Sequence, residues 1–388
     1  MSTIINTRSP FYKKISNASL AKAKLDLYVW TGVYADQVAG DKRYTITKEE
    51  LGTNNYVTFE LSELIRDYMI TEYNDYATDT LWVDADVTIY DEDDNIVQVN
   101  SQDTTTYEYL AIDGYGYFED GINPRSVQFT TPMVLQDNTT IYFYGGYDIK
   151  IPIYAEAQTI TATLTSSAGA NVYWENADDF WDTYDVTWGS GQTPVVITDN
   201  GNTNQKIQYL IITDTEDLND GDTVTISSTN PAYSNSPVTI TLRKVCEPKF
   251  TPLSVIFYNK YGALQNLWFF KKSMTDISIS SNKFKNNIID FDNSGGSPSY
   301  SLSKHQEKIF MANGKESITM NTGFYEESFN EVIRQMLLSE QVWVYDGTNT
   351  LPINLKSNTL QFKKGVNDKL ISYTISFDYA YDKINNIQ

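Results

Sequence analysis

Ile371-Ser372-Tyr373-Thr374-Ile375-Ser376-Phe377-Asp378-Tyr379 alternates apolar and polar residues without a break. A period of two puts Ile371, Tyr373, Ile375, Phe377 and Tyr379 on one face of a pleated strand and Ser372, Thr374, Ser376 and Asp378 on the other, so the stretch predicts a strand with one face made for a core. Just upstream, Val342, Val344 and residues 351–355 predict a hairpin around Asp346-Gly347, a pair suited to the positive φ of a tight turn. Before that hairpin, Phe329, Val332, Ile333, Met336 and Leu337 recur at helical spacing behind Glu326 and Glu327, whose charges favour a helix N-terminus. Strands, one main helix and strands again make residues 248–388 an α+β domain with a dominant sheet.

The rest of the chain speaks the same β dialect. Its 29 tyrosines, 17 phenylalanines and 7 tryptophans alternate with Thr, Val and Ile, the residue types that suit a half-buried pleated surface. Residues 105–247 predict a second β domain of short Thr- and Tyr-rich strands, at 140–144, 159–164, 207–213 and 223–228, separated by turn signals such as Asn200-Gly201 and Asp220-Gly221. Asn313-Gly314 reads as one more hairpin turn, and the Gly- and aromatic-rich residues 114–124 read as the linker into this domain. Residues 1–104 predict the first domain. Leu25, Leu27 and Val29 alternate with Asp26, Tyr28 and Trp30; Val57, Phe59 and Leu61 resume after a polar stretch at 40–55; Leu81, Val83, Ala85, Val87 and Ile89 form one face of a further strand, which reverses at 91–95. Between them, Leu61, Leu64, Ile65, Tyr68 and Met69 make a short helical stripe with Ser62 or a neighbour as its cap. The fold class is therefore mainly β: two β-sandwich-like modules followed by an α+β barrel-like or sandwich domain.

Charge is unevenly spread. Residues 1–74 carry 9 basic and 9 acidic groups, 75–240 carry 3 and 27, and 241–388 carry 17 and 14, so the formal charge of −21 comes from the middle of the chain. A surface that acidic repels phosphate backbones, which are bound by Lys and Arg displacing counterions, and this excludes nucleic acid as a direct partner of the middle domain. The single cysteine, Cys246, excludes an internal disulfide framework and a cysteine-based zinc site. The first 21 residues never build the apolar run of a signal peptide, and no stretch approaches the 18 apolar residues of a membrane span.

Catalytic chemistry has few places to reside. His305 is the only histidine, in a Ser-Lys-His-Gln context that gives no support for a triad, and no phosphate-binding loop, dinucleotide fingerprint or histidine-rich metal motif occurs. The acidic runs at 91–95 and 214–222 have the oxygen ligands calcium prefers but not the EF-hand spacing, and read as hairpin turns. Trp174, Trp181 and Trp188 recur every seven residues among Glu175, Asp178, Asp179, Asp182 and Asp185. Aromatic faces beside carboxylates hold sugars, whereas aromatic clusters also pack cores and protein interfaces, so these three are candidates for a glycan or an interface site. No cofactor, metal ligand or catalytic residue is expected.

At the third domain the sequence gains a resemblance. Val255-Ile256-Phe257-Tyr258-Asn259-Lys260-Tyr261-Gly262-Ala263, followed by Leu267-Trp268-Phe269-Phe270-Lys271-Lys272-Ser273, resembles a signature of Asn-Lys, an aromatic or aliphatic residue and Gly in virion proteins of tailed bacteriophages infecting Bacteroidetes-type hosts, crAss-like phages included. Glu316-Ser317-Ile318-Thr319-Met320-Asn321-Thr322-Gly323, Leu338-Ser339-Glu340-Gln341-Val342-Trp343, Leu351-Pro352-Ile353, Asn367-Asp368-Lys369-Leu370 and the final strand are similar to the same family, as are the first-domain stretches at 25–30 and 60–68. The resemblance implies a non-enzymatic structural subunit of a tail or baseplate, located in the virion and assembled in the host cytoplasm. By fold analogy it implies a tail-tube- or distal-tail-like last domain that packs into a ring or hub with copies of itself and other tail proteins. Trp268, Phe270 and Trp343 are then the expected interface residues, the acidic middle domain the part that projects, and a virion adhesin binding host-surface glycan the alternative function.

Overall fold

The computed structural model describes residues 3–384 except 33, 38–41, 53, 70–71, 77, 79, 121–132, 156–158, 166–173, 177–194, 199–205, 214, 216–217, 230–236, 247–248, 291–297, 357–359 and 363–369. The chain is mainly β and forms two compact units. Unit 1 comprises Met1–Pro248, Val255–Trp268 and Ser328–Gln341; unit 2 comprises Lys249–Ser254, Phe269–Glu327 and Val342–Gln388.

Unit 1 contains two sandwich cores. In the first, a five-stranded sheet runs in the order Thr3–Asn6, Thr105–Ile112, Leu81–Tyr90, Lys22–Trp30, Lys42–Glu49. Alternation aims Leu25, Leu27, Val29, Val83, Ala85 and Val87 inward, where the smaller sheet Tyr12–Ser16/Tyr56–Glu60 and the helix Ser62–Arg66 cover them with Ile15, Phe59, Leu61 and Ile65. The polar stretch at 40–55 holds the strand Lys42–Glu49, which is polar because it is the sheet's exposed edge. The helix is shorter than its stripe, and Ser62 is not its cap. Leu61 takes the cap position, while the Glu60 carboxylate accepts from the amides of Ser62 (3.0 Å) and Glu63 (3.4 Å), satisfying donors that the first turn leaves free. The module also runs past the expected boundary at 104, since Thr105–Ile112 pairs with Leu81–Tyr90 on one side and Thr3–Asn6 on the other.

The second core lies between a five-stranded sheet, ordered Val195–Thr198, Thr159–Thr165, Thr223–Ser228, Val238–Lys244, Thr140–Phe143, and a three-stranded sheet, ordered Trp174–Asn176, Ile207–Ile212, Ile149–Tyr154. Ile160, Ala162, Leu164, Val224, Ile226 and Ile240 from one sheet meet Ile149, Ile151, Ile153, Leu210 and Ile212 from the other. This is a β-sandwich, and the Asp220-Gly221 turn that feeds it has Gly221 at φ +90°. Asn200-Gly201 lies outside the described residues.

Unit 2 is an open antiparallel sheet in the order Val342–Tyr345, Thr350–Leu355, Thr374–Tyr379, Glu307–Asn321, Met274–Lys285. The hairpin at Asp346-Gly347 is present, with Gly347 at φ +96° and the Asp346 carboxylate accepting from the amides of Thr348 and Asn349. The final strand is broken. Leu370–Ile371 pairs with Tyr325–Glu326 and Thr374–Tyr379 joins the main sheet, yet the inward face is kept because Ile371, Tyr373, Ile375 and Phe377 are all buried. Asn313-Gly314 is no turn. It lies mid-strand in Glu307–Asn321, opposite Ser280 and Ile279.

The expected last domain, 248–388, also gives up two pieces to unit 1: the hairpin Val255–Trp268 and the helix Phe329–Leu338. The reason is polar as well as apolar. In the hairpin turn, Asn259 is fully buried; its Oδ1 accepts from the amides of Tyr261 and Ala263, and its Nδ2 donates to the Leu135 carbonyl (2.7 Å) and to Gln265 Oε1 (3.2 Å). Asp137 receives the Lys260 ammonium (2.7 Å), the Tyr261 hydroxyl (2.6 Å) and the amide of Gln335 from the helix. Gly262, at φ +71°, lies so near residue 113 that a Cβ would meet the Asp113 backbone at 2.8 Å, so glycine is required there for approach as well as conformation. Tyr209 of the second sandwich donates or accepts at Thr78 of the first (2.6 Å) and accepts the Leu264 amide (2.7 Å). The residues of the Asn-Lys-Tyr-Gly stretch thus lock the two sandwiches of unit 1 together.

Candidate assembly interface

The residue types of Met274–Lys285 alternate Ile277 and Ile279 with Ser278 and Ser280, a strand pattern. The strand pairs antiparallel with Glu307–Asn321 from Met274↔Thr319 out to Lys285↔Glu307. Only the near end of this ribbon is backed by a third strand, because Thr374–Tyr379 pairs with residues 317–321 alone. Further out, the chain end reaches Gly314 and Asn313 through Lys383 and Asp382, and beyond that point the ribbon has two strands among the described residues. Nine residues of the first strand, from Ile277 to Lys285, therefore extend roughly 30 Å past Thr374–Tyr379 as an arm, of which residues 281–285 are two-stranded among the described residues.

Every residue of Met274–Lys285 is exposed, as are residues 307–312 of its partner. The apolar ones are large: Met274, Ile277, Ile279 (69% exposed), Phe284, Ile309, Phe310 (77%) and Met311. Phe310 is the extra residue of a β-bulge between the pairs Asn282↔Met311 and Lys283↔Ile309, a device that twists a ribbon and re-aims a side chain. Toward the tip, the two-residue ladder Ile289–Asp290/Ser299–Tyr300 adds exposed Ile289, Tyr300 and Leu302. An isolated two-stranded ribbon is marginal in water, and large exposed apolar side chains on both of its faces leave it open to association. Burying these seven half-exposed arm side chains at about 1 kcal/mol each is worth on the order of 5 kcal/mol or more before association costs.

The aromatic residues expected at an interface sit elsewhere. Trp268, Phe270 and Trp343 are buried within the chain: Trp268 stacks edge-on against Tyr147 at 5.1 Å and Phe270 packs near Tyr325 at 6.0 Å. Their bulk fills cores, and they are not available to a neighbour. Trp174 begins the short strand opposite Ile212, while Trp181 and Trp188 lie outside the described residues. The arm itself was missed because a period-two pattern reports a face to be covered and not what covers it. The signal that could have found it is the pairing of Ile277 and Ile279 with serines instead of residues apolar on both sides.

The remaining chemistry is spoken for by local structure. In the run at 91–95, Asp91 Oδ1 accepts from the amides of Asp93 and Asn95, and these bonds, Asn95's first, hold the Asp91 carboxyl below its ordinary pKa. Among the described residues, no three His, Cys, Asp or Glu side chains are grouped to hold a metal, and no helix is long and apolar enough to cross a membrane. His305 and Cys246 are exposed. Two buried carboxyls stand out in unit 1. Asp84 is pushed up to about 6 by burial and then by the neighbouring Glu108 and Asp86; Asp113 is pushed up to about 6 mainly by burial, against the pull of Arg8.

No known family profile and no curated protein matches the chain. Among solved structures, the calcium binding domain CBD12 of CALX1.1 is similar at a TM-score of 0.18 and 10% identity, over 58% of this chain and 76% of that one, a likeness too loose to carry an argument.

Proposed function

We propose that this chain is a structural, non-enzymatic subunit of a bacteriophage tail or baseplate, which assembles with copies of itself and other tail proteins into a ring or hub. The observation that carries the reading is the arm: a ribbon of exposed Ile, Phe and Met whose outer part has two strands among the described residues, and whose apolar surface gains stability when another chain covers it. The resemblance of the Asn-Lys-Tyr-Gly hairpin and the final strand to tail proteins supports the same reading. The division of charge fits it too, since the nearly neutral last third carries the arm while the acidic middle, with 27 acidic and 3 basic groups, resists sticking to neighbours and to DNA. Virion location and assembly in the host cytoplasm follow from this role. Electron microscopy of the intact particle, with the chain located by a labelled antibody, tests it: the expected result is a discrete position in the tail, and absence of the chain from purified particles overturns the reading.

A further inference from the structure

The outer face of the first sheet is covered at one place. Register sets Trp30 opposite Trp82, Tyr28 opposite Asp84 and Asp84 opposite Glu108, and alternation turns all of them away from the core face of Leu25, Leu27, Val83 and Ala85. On that outer face Trp30, Trp82 and Asp84 are nonetheless only 5%, 7% and 3% exposed. Part of their cover is the single helical turn Tyr34–Asp36, which follows the strand Lys22–Trp30. The Tyr34 ring lies edge-on to Trp82 at 5.1 Å and tilted against Trp30 at 5.7 Å, and the Trp82 indole donates to the Gly32 carbonyl at 3.0 Å. Lys206 stands over the Trp82 ring at 5.9 Å.

Under the turn lie two carboxyls. Asp84 and Glu108 are direct cross-strand neighbours, a placement in which two negative charges repel and which is relieved when one group keeps its proton. The Tyr34 hydroxyl donates toward both Asp84 oxygens, at 3.4 Å each, and reaches Glu108 as well, while Gln37 bonds Asp84. The other polar groups on this face are Tyr28 across from Asp84, Asp86 on its own strand, which accepts from Thr106 at 2.6 Å, and Asp26 opposite Asp86, which is answered by Lys24 at 3.0 Å and Lys42 at 3.4 Å. Among the described residues no Lys or Arg forms an ion pair with Asp84 or Glu108. With one proton on the pair, the phenol and the protonated carboxyl supply two donors between them. With none, a single phenol proton faces two carboxylates.

We infer that Asp84 and Glu108 form a proton-operated catch: while the pair keeps one proton, the Tyr34–Asp36 turn stays closed over Trp30 and Trp82, and loss of that proton drives the turn off them. This goes beyond the assembly reading and does not depend on it. Asp84 is pushed up to about 6 by burial and then by Glu108 and Asp86, so the catch is closed below that pH and released above it. Burial, and then the two carboxylates, hold the Tyr34 proton on well above its ordinary range, so the phenol does not titrate in the same window. The opening is local, because the core face of the sheet keeps its own cover from Phe59, Leu61 and Ile65. What it uncovers is a cross-strand pair of tryptophans.

Fluorine NMR of the full chain labelled with 5-fluorotryptophan tests the catch, with the Trp82 resonance identified by its loss in Trp82→Phe. The expected result is that this resonance moves between two limits with a midpoint near pH 6, and that its shift between water and heavy water, which reports solvent contact, grows about threefold or more above the midpoint. Asp84→Asn, which cannot ionise, holds Trp82 at the closed limit throughout. Glu108→Gln removes one charge of the pair and lowers the midpoint by about 1 pH unit. Asp113→Asn leaves the curve where it was, which separates the catch from the other buried carboxyl. A Trp82 resonance that stays flat from about pH 4.5 to 8, an unchanged curve in Asp84→Asn, or a titration with no gain in solvent contact overturns the inference. Should Asp84→Asn fold poorly, Glu108→Gln at its exposed position decides, and an unmoved midpoint rejects the catch.

Discussion

Two hairpins follow each other along the chain and meet opposite fates. Leu253–Tyr258 and Leu264–Phe269 are buried at nearly every position, with Val255, Phe257, Leu264 and Phe269 at or near zero exposure; Met274–Lys285, starting five residues later, is exposed at every position. Composition already differs in kind. The buried hairpin is apolar on both faces, as strands covered from both sides must be, whereas the arm alternates apolar residues with Ser, Asp, Asn and Lys. The first spends its apolar surface on its own chain and its polar atoms on a turn closed by Asn259. The second leaves both exposed. The lesson is that in this β protein the fraction of apolar residues in a strand tells how many faces are covered, and the missing cover in unit 2 is the functional clue.

The comparison can be broken first where the effect is largest. Replacing residues 278–315 by a two-residue Asn-Gly turn is expected to weaken self-assembly roughly a thousandfold or more, since the arm carries on the order of 5 kcal/mol of apolar burial, while the melting of unit 1 stays put; sedimentation and calorimetry on the same samples check both. Identical chemistry in the two hairpins sharpens the contrast. Phe257→Ala is expected to cost about 3–5 kcal/mol of unit 1 stability in a denaturant titration, and Phe284→Ala in the arm within about 0.5 kcal/mol of the monomer's stability. Gly262→Ala drives a Cβ to within 2.8 Å of the Asp113 backbone at a φ of +71°, for an expected loss of about 2–3 kcal/mol. Tyr209→Phe leaves the Leu264 amide without its acceptor and is expected to cost about 1–3 kcal/mol.

The smallest effect is on pH. Asp84 and Asp113, at about 6 in the folded chain against 3.8 for an ordinary Asp, bind protons more tightly folded than unfolded. Their stabilisation is complete below 3.8 and lost as pH rises through about 6, so unit 1 is expected to melt about 3 °C higher at pH 5 than at pH 7.5. Asp26, which is partly buried yet held low by Thr45 and Lys24, and Asp91 respond only below about 4, outside that window. Paired Asp84→Asn and Asp113→Asn substitutions should flatten the difference, and a melting curve that still climbs on acidification would assign it to other groups.

Much of the fold was legible where a strand or helix has one covered face. The inward face from Ile371 to Phe377, the Asp346-Gly347 hairpin and the stripe on Phe329–Leu338 all follow from periodicity, because burial on one side imposes a period that sequence records. Partition into units was not legible. The helix stripe says that a face is covered, and contacts such as Gln335 bonding Asp137, the Tyr117 hydroxyl donating to Glu331 and Tyr142 packing edge-on against Phe329 place that cover in unit 1. Asn313-Gly314 misled for a local reason: Gly314 is a strand residue whose missing side chain makes room for Ile277, 3.1 Å from where a Cβ would stand. Trp268, Phe270 and Trp343 were expected at an interface because large aromatics are common there, yet a core of this size uses the same residues, and sequence does not distinguish the two uses.

The most direct measurement of the central claim is sedimentation velocity of wild type beside the four-fold variant Ile277→Ser, Ile279→Ser, Ile309→Ser, Phe310→Ser over a wide concentration range. With the arm as the assembling surface, wild type shifts from monomer to larger species as concentration rises and the variant stays monomeric with unchanged melting. A wild type that remains monomeric throughout, or a variant that assembles as well as wild type, contradicts the account.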